Sequence, residues 1–518
     1  MRTAQGAAFA TWYVEHRGNG VDAFQEIAAL RKLRALQLLA LVALFGVIGG
    51  VALKTKYCVL DPDIFWHIKV GDWILEHKAV PHTGIFSQTA AQRPWTAYSW
   101  GYEILLSRSY AWFGLVGLGS FGVFLTFLVA AALFWAVYRL SGRFWTAWLL
   151  TGIGVYAFLF SLMPRPVFFS MAIFTILLCW LLEAQRDGNI RRLYWLPLMF
   201  AIWANLHIQF TYGLALLGLF ITVQGLQSLA QRLMPGLMER YFAPSTLPLG
   251  KLIAIFAGCI AASCIGPYSY HLFLVLREYS KAKFTYGMII ELLPLNFETP
   301  SHYFELLLAA AAFVAVGSQK KIDPFKLAFL IIGTVIAFRT TRDAWFICIP
   351  AVAFIAECTA ASEREPRLKL AETAGVLVGS LFVLFLVARN TDFNQRGLDE
   401  AVSGWYPVNA ANFLRNNPMP GPLYNSFDWG GFLIWYLPQY PVSVDGRNDL
   451  YGDELDALLY GSESGDPNYV NDPYLNAAGV VLLRKEVPLA KLLTVDKRFR
   501  VIYQDQLSAI FVRRDAGQ

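Results

Sequence analysis

The chain has 518 residues, 15% charged and 56% hydrophobic, with a formal net charge of +6 and a mean hydropathy of +0.44. Soluble chains carry about 25% charged residues, so this composition describes an integral membrane protein. The charge divides near residue 390: the tail holds 16 acids and 11 bases, making it −5 and the remainder +11, which fits a membrane body with basic loops and a solvated tail and argues against nucleic-acid binding. The six cysteines, Cys58, Cys179, Cys259, Cys264, Cys348 and Cys358, sit in or beside apolar runs, which excludes a secreted disulfide scaffold, and none falls into a metal-binding spacing.

A bilayer core of about 30 Å needs roughly 20 apolar residues in a helix. Runs near that length predict about eleven spans, at 35–53, 115–138, 145–162, 166–183, 193–206, 210–229, 250–266, 302–317, 324–338, 343–358 and 370–388. Arg31, Lys32 and Arg34 precede the first span, which puts residues 1–34 in the cytoplasm, and every second gap is then basic as the positive-inside rule requires. Those gaps carry Arg139 and Arg143, then Arg186, Arg191 and Arg192, then Arg232, Arg240 and Lys251, then Lys320 and Lys321, then Arg364, Arg367 and Lys369. An odd number of spans places the tail outside. The first run exceeds the roughly 7–15 apolar residues of a cleavable signal, so it reads as an uncleaved anchor. The expected fold class is an α-helical polytopic membrane protein, with a transmembrane domain over 35–389 and an extracytoplasmic small α/β domain over 390–518.

After the first span, residues 54–114 form an outer loop expected to carry interface helices. Phe65, Trp66, Val70, Trp73 and Ile74 recur at helical spacing opposite Lys69, Asp72 and Glu76, the pattern of an amphipathic helix lying in the interface. The stretch 97–113, rich in Trp and Tyr, lies in the interface or dips into the membrane. Asp61-Pro62-Asp63 places two carboxylates at the water–membrane boundary and near that helix's N-terminus, where backbone N–H groups favour negative charge. They suit a general base or the ligands of a divalent ion such as Mg2+ or Mn2+. They equally suit a cap, with Asp61 capping and Pro62 starting the helix, and one aspartate can cap while the other reacts.

The outer ends of later spans hold Arg165, His207, Arg339 and Arg342. Ionisable residues at membrane depth are costly and usually functional. Four basic residues on the side of Asp61 and Asp63 point to an anion between them, and guanidinium grips phosphate bidentately, so a lipid phosphate or pyrophosphate entering laterally is a natural ligand. Snorkelling of the arginines and pairing of His207 with Asn205 or backbone are the simpler readings. In the second long outer segment, 267–300, Glu291 lies in an apolar run and faces either the same cavity or solvent. Glu103 is a similar case, and Tyr98 and Trp100 read as belt aromatics.

The tail has strands expected at 422–425, 441–445, 479–483, 499–503 and 508–513, and helices near 405–416, 429–437, 469–477 and 487–494. No Gly-rich phosphate loop follows a strand. Its densest polar segments, 425–431 and 444–452, are explained by Asp-Gly turns or by a lid or acceptor-recognition role.

Taken in order, Asp61-Pro62-Asp63, Trp66-His67, Gly71-Asp72-Trp73-Ile74-Leu75, Pro81-His82-Thr83, Phe86-Ser87, Arg165-Pro166, Asn205-Leu206-His207, Gly266-Pro267-Tyr268, Gly430-Gly431 and Asp445-Gly446-Arg447 resemble a broad set of prokaryotic multi-span proteins grouped with the GT-C glycosyltransferases. The resemblance runs over about 54–518. It implies a GT-C-like fold in the plasma (inner) membrane with an outside active site, a polyprenyl-phosphate- or polyprenyl-pyrophosphate-linked sugar donor, and transfer with inversion to a glycan, lipid or protein acceptor. It further implies that Asp61 or Asp63 deprotonates the acceptor or holds a metal, and that Arg165, Arg339 or Arg342 contacts the lipid phosphate; by their outward placement, His207 and Glu291 are added to that binding site. A transporter or flippase of lipid-linked sugars and a non-catalytic envelope scaffold are the rival readings. Transporters often show internal repeats and interrupted helices at the midplane, whereas no tandem repeat is visible here and the polar residues gather at the outer rim, which favours the enzyme.

Overall fold

The computed structural model describes residues 20–54, 57–157, 163–279, 283–360, 370–390 and 393–514. The end of the expected span 145–162 and the basic residues Arg364, Arg367 and Lys369 lie outside the described residues. A helix occupies each of the eleven apolar stretches, and one more precedes the second: α1 (Gly20–Lys54), α2 (Ile64–His77), α3 (Trp100–Ser141), α4 (Phe144–Ala157), α5 (Val167–Asp187), α6 (Leu196–Ala204), α7 (Phe210–Leu233), α8 (Leu249–Ser263), α9 (Pro300–Gly317), α10 (Pro324–Arg339), α11 (Trp345–Cys358) and α12 (Leu370–Asn390). Among the described residues, five segments are long and apolar enough to cross a membrane: 31–60, α3, α5, α7 and α9. Three shorter apolar helices, α4, α8 and the 372–387 part of α12, have 10–17 residues. At 1.5 Å per residue, the nine residues of α6 reach only about 14 Å, half the hydrocarbon core. Helix position therefore agrees with the apolar runs, while helix length supports fewer crossings than eleven.

Two features of the outer loop add to the sequence reading. The Trp- and Tyr-rich stretch is the first arm of α3, which bends at Gly114 (φ +60), a conformation that costs glycine little. The amphipathic helix α2 is covered on both sides. One face meets α3 so closely that a Cβ on Gly71 would strike the Glu103 carbonyl. On the other, fully buried Phe65 packs its ring 5.3 Å from Tyr406, 5.6 Å from Phe432 and 4.7 Å from Trp435 of the tail. Ile64, Ile68, Val70 and Ile74 are buried as well, an apolar surface wider than one stripe.

The tail folds around a four-stranded sheet of β1 (Leu423–Asn425), β2 (Val480–Arg484), β3 (Phe499–Gln504) and β4 (Ser508–Arg513), in the order β1-β2-β4-β3. β1 and β2 are parallel, and the other two pairs are antiparallel. A parallel pair needs a crossover, supplied here by 430–477 with helices Gly430–Tyr436, Asn448–Glu463 and Pro473–Ala477. The stretch 441–445 is not a fifth strand. Val442 instead spends its backbone bonds on the outer loop, donating to Phe86 O at 2.9 Å and accepting from Gln88 N–H at 2.9 Å.

Candidate functional site

Asp61 and Asp63 follow the short helix Tyr57–Leu60 and precede α2. Asp61 Oδ1 accepts the Asp63 N–H at 3.1 Å, and Asp61 O accepts the Ile64 N–H at 3.2 Å. Asp63 occupies the N-cap position, but its side chain caps nothing. The Asp63 carboxylate is thus free for other partners, and Asp61 keeps capacity beyond its local bond. Asp61 is 1% exposed, and Tyr406 Oη donates to its carbonyl at 3.2 Å. Asp63 Oδ1 accepts Trp66 Nε1–H at 2.9 Å.

Arg165 lies between Pro164 and Pro166 just before α5. Two flanking prolines narrow the backbone's freedom, and Tyr102 Oη donates to the Pro164 carbonyl. The guanidinium reaches three carboxylates. Nε and Nη2 donate to Asp61 Oδ2 and Oδ1 at 2.7 and 3.1 Å, Nη1 donates to both Glu291 oxygens at 2.7 Å, and Nη2 lies 3.7 Å from Asp63 Oδ2. Arg342 donates to Glu291 from the opposite side. It sits on the turn Thr341–Asp343, whose Thr341 N–H bonds to Leu293 O at 3.0 Å, so one strap ties Glu291 and Arg342 together. Asp343 anchors that turn by accepting from Thr340 Oγ1 at 2.8 Å, Tyr212 Oη at 2.9 Å and Gln209 Nε2 at 3.2 Å.

The five charged groups have unequal protonation. Burial would raise the Glu291 pKa, but Arg165 and Arg342 outweigh it and hold the carboxyl down at about 2. Asp63 goes the other way: burial and then the Asp61 charge push it up to about 7, against the pull of Arg165 and the Trp66 hydrogen bond. Of the two shifted carboxyls, Asp63 is the one raised toward neutrality. A carboxylate titrating near neutrality can act as a general base.

The tail closes over this group. A Cβ on Gly446 would strike Asp63 Oδ1, and one on Gly431 would strike the Pro62 carbonyl. The loop around Gly446 is held by Arg447, which is 1% exposed. It donates to Asp445 Oδ1 and Oδ2 at 2.8 and 2.7 Å and to Ile85 O at 2.9 Å, and lies 4.8 Å from the Trp95 ring centroid. Asp449 accepts Trp95 Nε1–H at 3.1 Å, and its pKa is raised by burial to about 6.

The structure therefore brings together Asp61, Asp63, Arg165, Glu291 and Arg342. His207 stands apart: its Nδ1 is 2.8 Å from Ser170 Oγ, which accepts Trp203 Nε1–H at 2.7 Å. Burial and then Arg342 press the His207 pKa down to about 3, so the ring is neutral. Arg339 is exposed and pairs with none of the described residues. Asn205 does not pair with His207; it ties Trp100 Nε1 at 2.9 Å to the Ile265 carbonyl at 2.7 Å. Glu103 meets His67, with Oε1 3.2 Å from Nδ1. Sequence reasoning missed this buried pair and the contacts of Gly431 with the Pro62 carbonyl and of Gly446 with Asp63. The tail glycines were visible as polar turns, but their partners lie more than 350 positions away.

The carboxylates do not fit a divalent ion in this arrangement. All four oxygens of Asp61 and Glu291 face Arg165, and a cation reaching Asp61 and Asp63 together would stand against its guanidinium. Among the described residues no group of three or more His, Cys, Asp or Glu side chains converges as a metal site.

No protein-family model matches the sequence, and no curated protein does. Among solved structures the chain is similar to the archaeal oligosaccharyltransferase AglB from Archaeoglobus fulgidus in complex with an inhibitory peptide and a dolichol-phosphate, with TM-score 0.49 and 10% identity over 89% of this chain and 70% of that one. The apo oligosaccharyltransferase of Archaeoglobus fulgidus gives TM-score 0.48 and 9% identity over 86% and 70%. ArnT from Cupriavidus metallidurans bound to undecaprenyl phosphate gives TM-score 0.37 and 14% identity over 92% and 97%.

Proposed function

We propose that this chain is a multi-pass plasma-membrane glycosyltransferase that moves a sugar from a polyprenyl-phosphate-linked donor to a glycan, lipid or protein acceptor on the extracytoplasmic side, with inversion. The observation that carries the reading is Asp63: a carboxylate with a pKa near neutrality, beside the Arg165 guanidinium and under the tail loop. The donor class is the one implied by the sequence resemblance. In the reaction the acceptor oxygen attacks the anomeric carbon, and its proton passes to Asp63. The bond from that carbon to the lipid-phosphate oxygen breaks, and its electron pair leaves with the phosphate. Arg342 and exposed Arg339 stabilise the charge gathering there. Arg165 and Glu291 fix the positions of Asp61 and Arg342, while neutral His207 serves as a hydrogen-bonding group. The N-terminus is cytoplasmic, residues 35–389 form the membrane body, and residues 390–518 are extracytoplasmic.

The test is release of polyprenyl phosphate from lipid-linked sugars in membranes containing the protein. Asp63→Asn should cut release by at least about 100-fold, the scale of a lost general base, while tryptophan fluorescence reports the same folded state. Release at the wild-type rate by the folded variant contradicts the assignment.

A further inference from the structure

Arg165 is the cation toward which the acids of this site turn. Three carboxylates converge on it from separate parts of the chain: Asp61 and Asp63 before α2, and Glu291 from the segment before α9. Its Nε, Nη1 and Nη2 all donate to carboxylate oxygens of the chain itself. The guanidinium keeps its charge at any physiological pH and cannot make room by losing a proton. Nor is the loop free to swing it aside, since Pro164 and Pro166 restrict the backbone and Tyr102 holds the Pro164 carbonyl. Across the group, Arg342 supplies a second fixed positive charge on Glu291.

We propose that Arg165 is a built-in cation occupying the place a divalent metal would take, so that the site works without a metal. Its guanidinium, together with Arg342 on Glu291, balances Asp61 and Glu291 and sets Asp63 beside the reacting hydroxyl. The inference deepens the reading of this site and rests on it only in calling Asp63 the working base. Metal binding requires no sugar substrate, so a failure here is distinguishable from a failure of the transferase reading.

Purified full-length protein in nanodiscs, stripped with EDTA, is titrated with Mn2+ up to about 1 mM, the weak end of biological oxygen-ligand sites. Free Mn2+ is counted by electron paramagnetic resonance. Wild type and Asp61→Asn should give superimposable titrations, because neither has a site. Arg165→Met should gain at least about tenfold in Mn2+ affinity, lost again in Arg165→Met/Asp61→Asn. One Mn2+ bound by wild type and abolished by Asp61→Asn overturns the proposal, and so does a folded Arg165→Met protein that gains nothing. If Arg165→Met fails to fold, the comparison of wild type with Asp61→Asn decides alone.

Discussion

Replacing Arg165 with Met removes the guanidinium and keeps much of the side chain's bulk. Asp61, 1% exposed, then loses both of its arginine hydrogen bonds, and Glu291 loses two, keeping Arg342. Leaving one partner of a buried ion pair without the other costs about 3–5 kcal/mol. Removing the stranded charge as well, in Arg165→Met/Asp61→Asn, should cut the cost to about 1–2 kcal/mol, the scale of ordinary lost hydrogen bonds. The two substitutions should therefore be non-additive by about 2 kcal/mol or more. The deficit also has a sign in pH. Without the guanidinium, the folded state binds protons on these carboxyls more tightly than the unfolded chain does. Stability is then retained at low pH and lost as pH rises. Reversible unfolding in mixed micelles, followed by tryptophan fluorescence at about pH 5 and about pH 8, measures both effects. A single-variant cost below about 1 kcal/mol, or a deficit of equal size at both pH values, would refute the picture of Arg165 as the charge that keeps Asp61 buried.

Transfer should rise about tenfold between roughly pH 6 and pH 8 and then level off, because Asp63, with a pKa of about 7, works only when deprotonated; a flat initial-rate profile would exclude it as the base. The same raised pKa means that Asp63 costs wild type stability as pH climbs from 3.8 through about 7. Asp63→Asn should therefore match wild type in acid and be more stable at alkaline pH, by at most about 4 kcal/mol at roughly 1.4 kcal/mol per pH unit, as seen in unfolding curves. Gly446→Ala puts a methyl group against Asp63 Oδ1. It should cost about 1–3 kcal/mol and reduce transfer at least tenfold, whereas an unchanged rate would show that the loop does not sit on the aspartate during turnover.

The helical body was legible in the sequence because apolar runs bounded by Arg and Lys have one physical explanation, and a helix occupies each of them. The charged residues of the candidate site stood out in the sequence for a related reason: Asp61, Arg165, Glu291 and Arg342 lie at or beside the ends of apolar runs. Their pairing did not. Spacing along the chain gives sidedness but no distances, so Arg165 looked like a ligand for an anion when its nearest anions are the protein's own. In the tail, the apolar residues of 441–445 suggested a strand; Val442 and Val444 are indeed buried, but an apolar run does not say whether a sheet neighbour or another loop does the covering. The helix Asn448–Glu463 escaped notice because its polar start and the non-helical Gly452 (φ +70) imitate a turn. The fit of Gly446 against Asp63 is a tertiary fact with no local signal.

The central claim is tested most directly by mass spectrometry of lipid-linked sugars and envelope glycans in cells lacking the protein, complemented with wild type or with Asp63→Asn. The account predicts that one glycan disappears on deletion while its polyprenyl-phosphate-linked donor accumulates, and that wild type alone reverses both changes. Full restoration by Asp63→Asn, or deletion with no change in either pool, would contradict it.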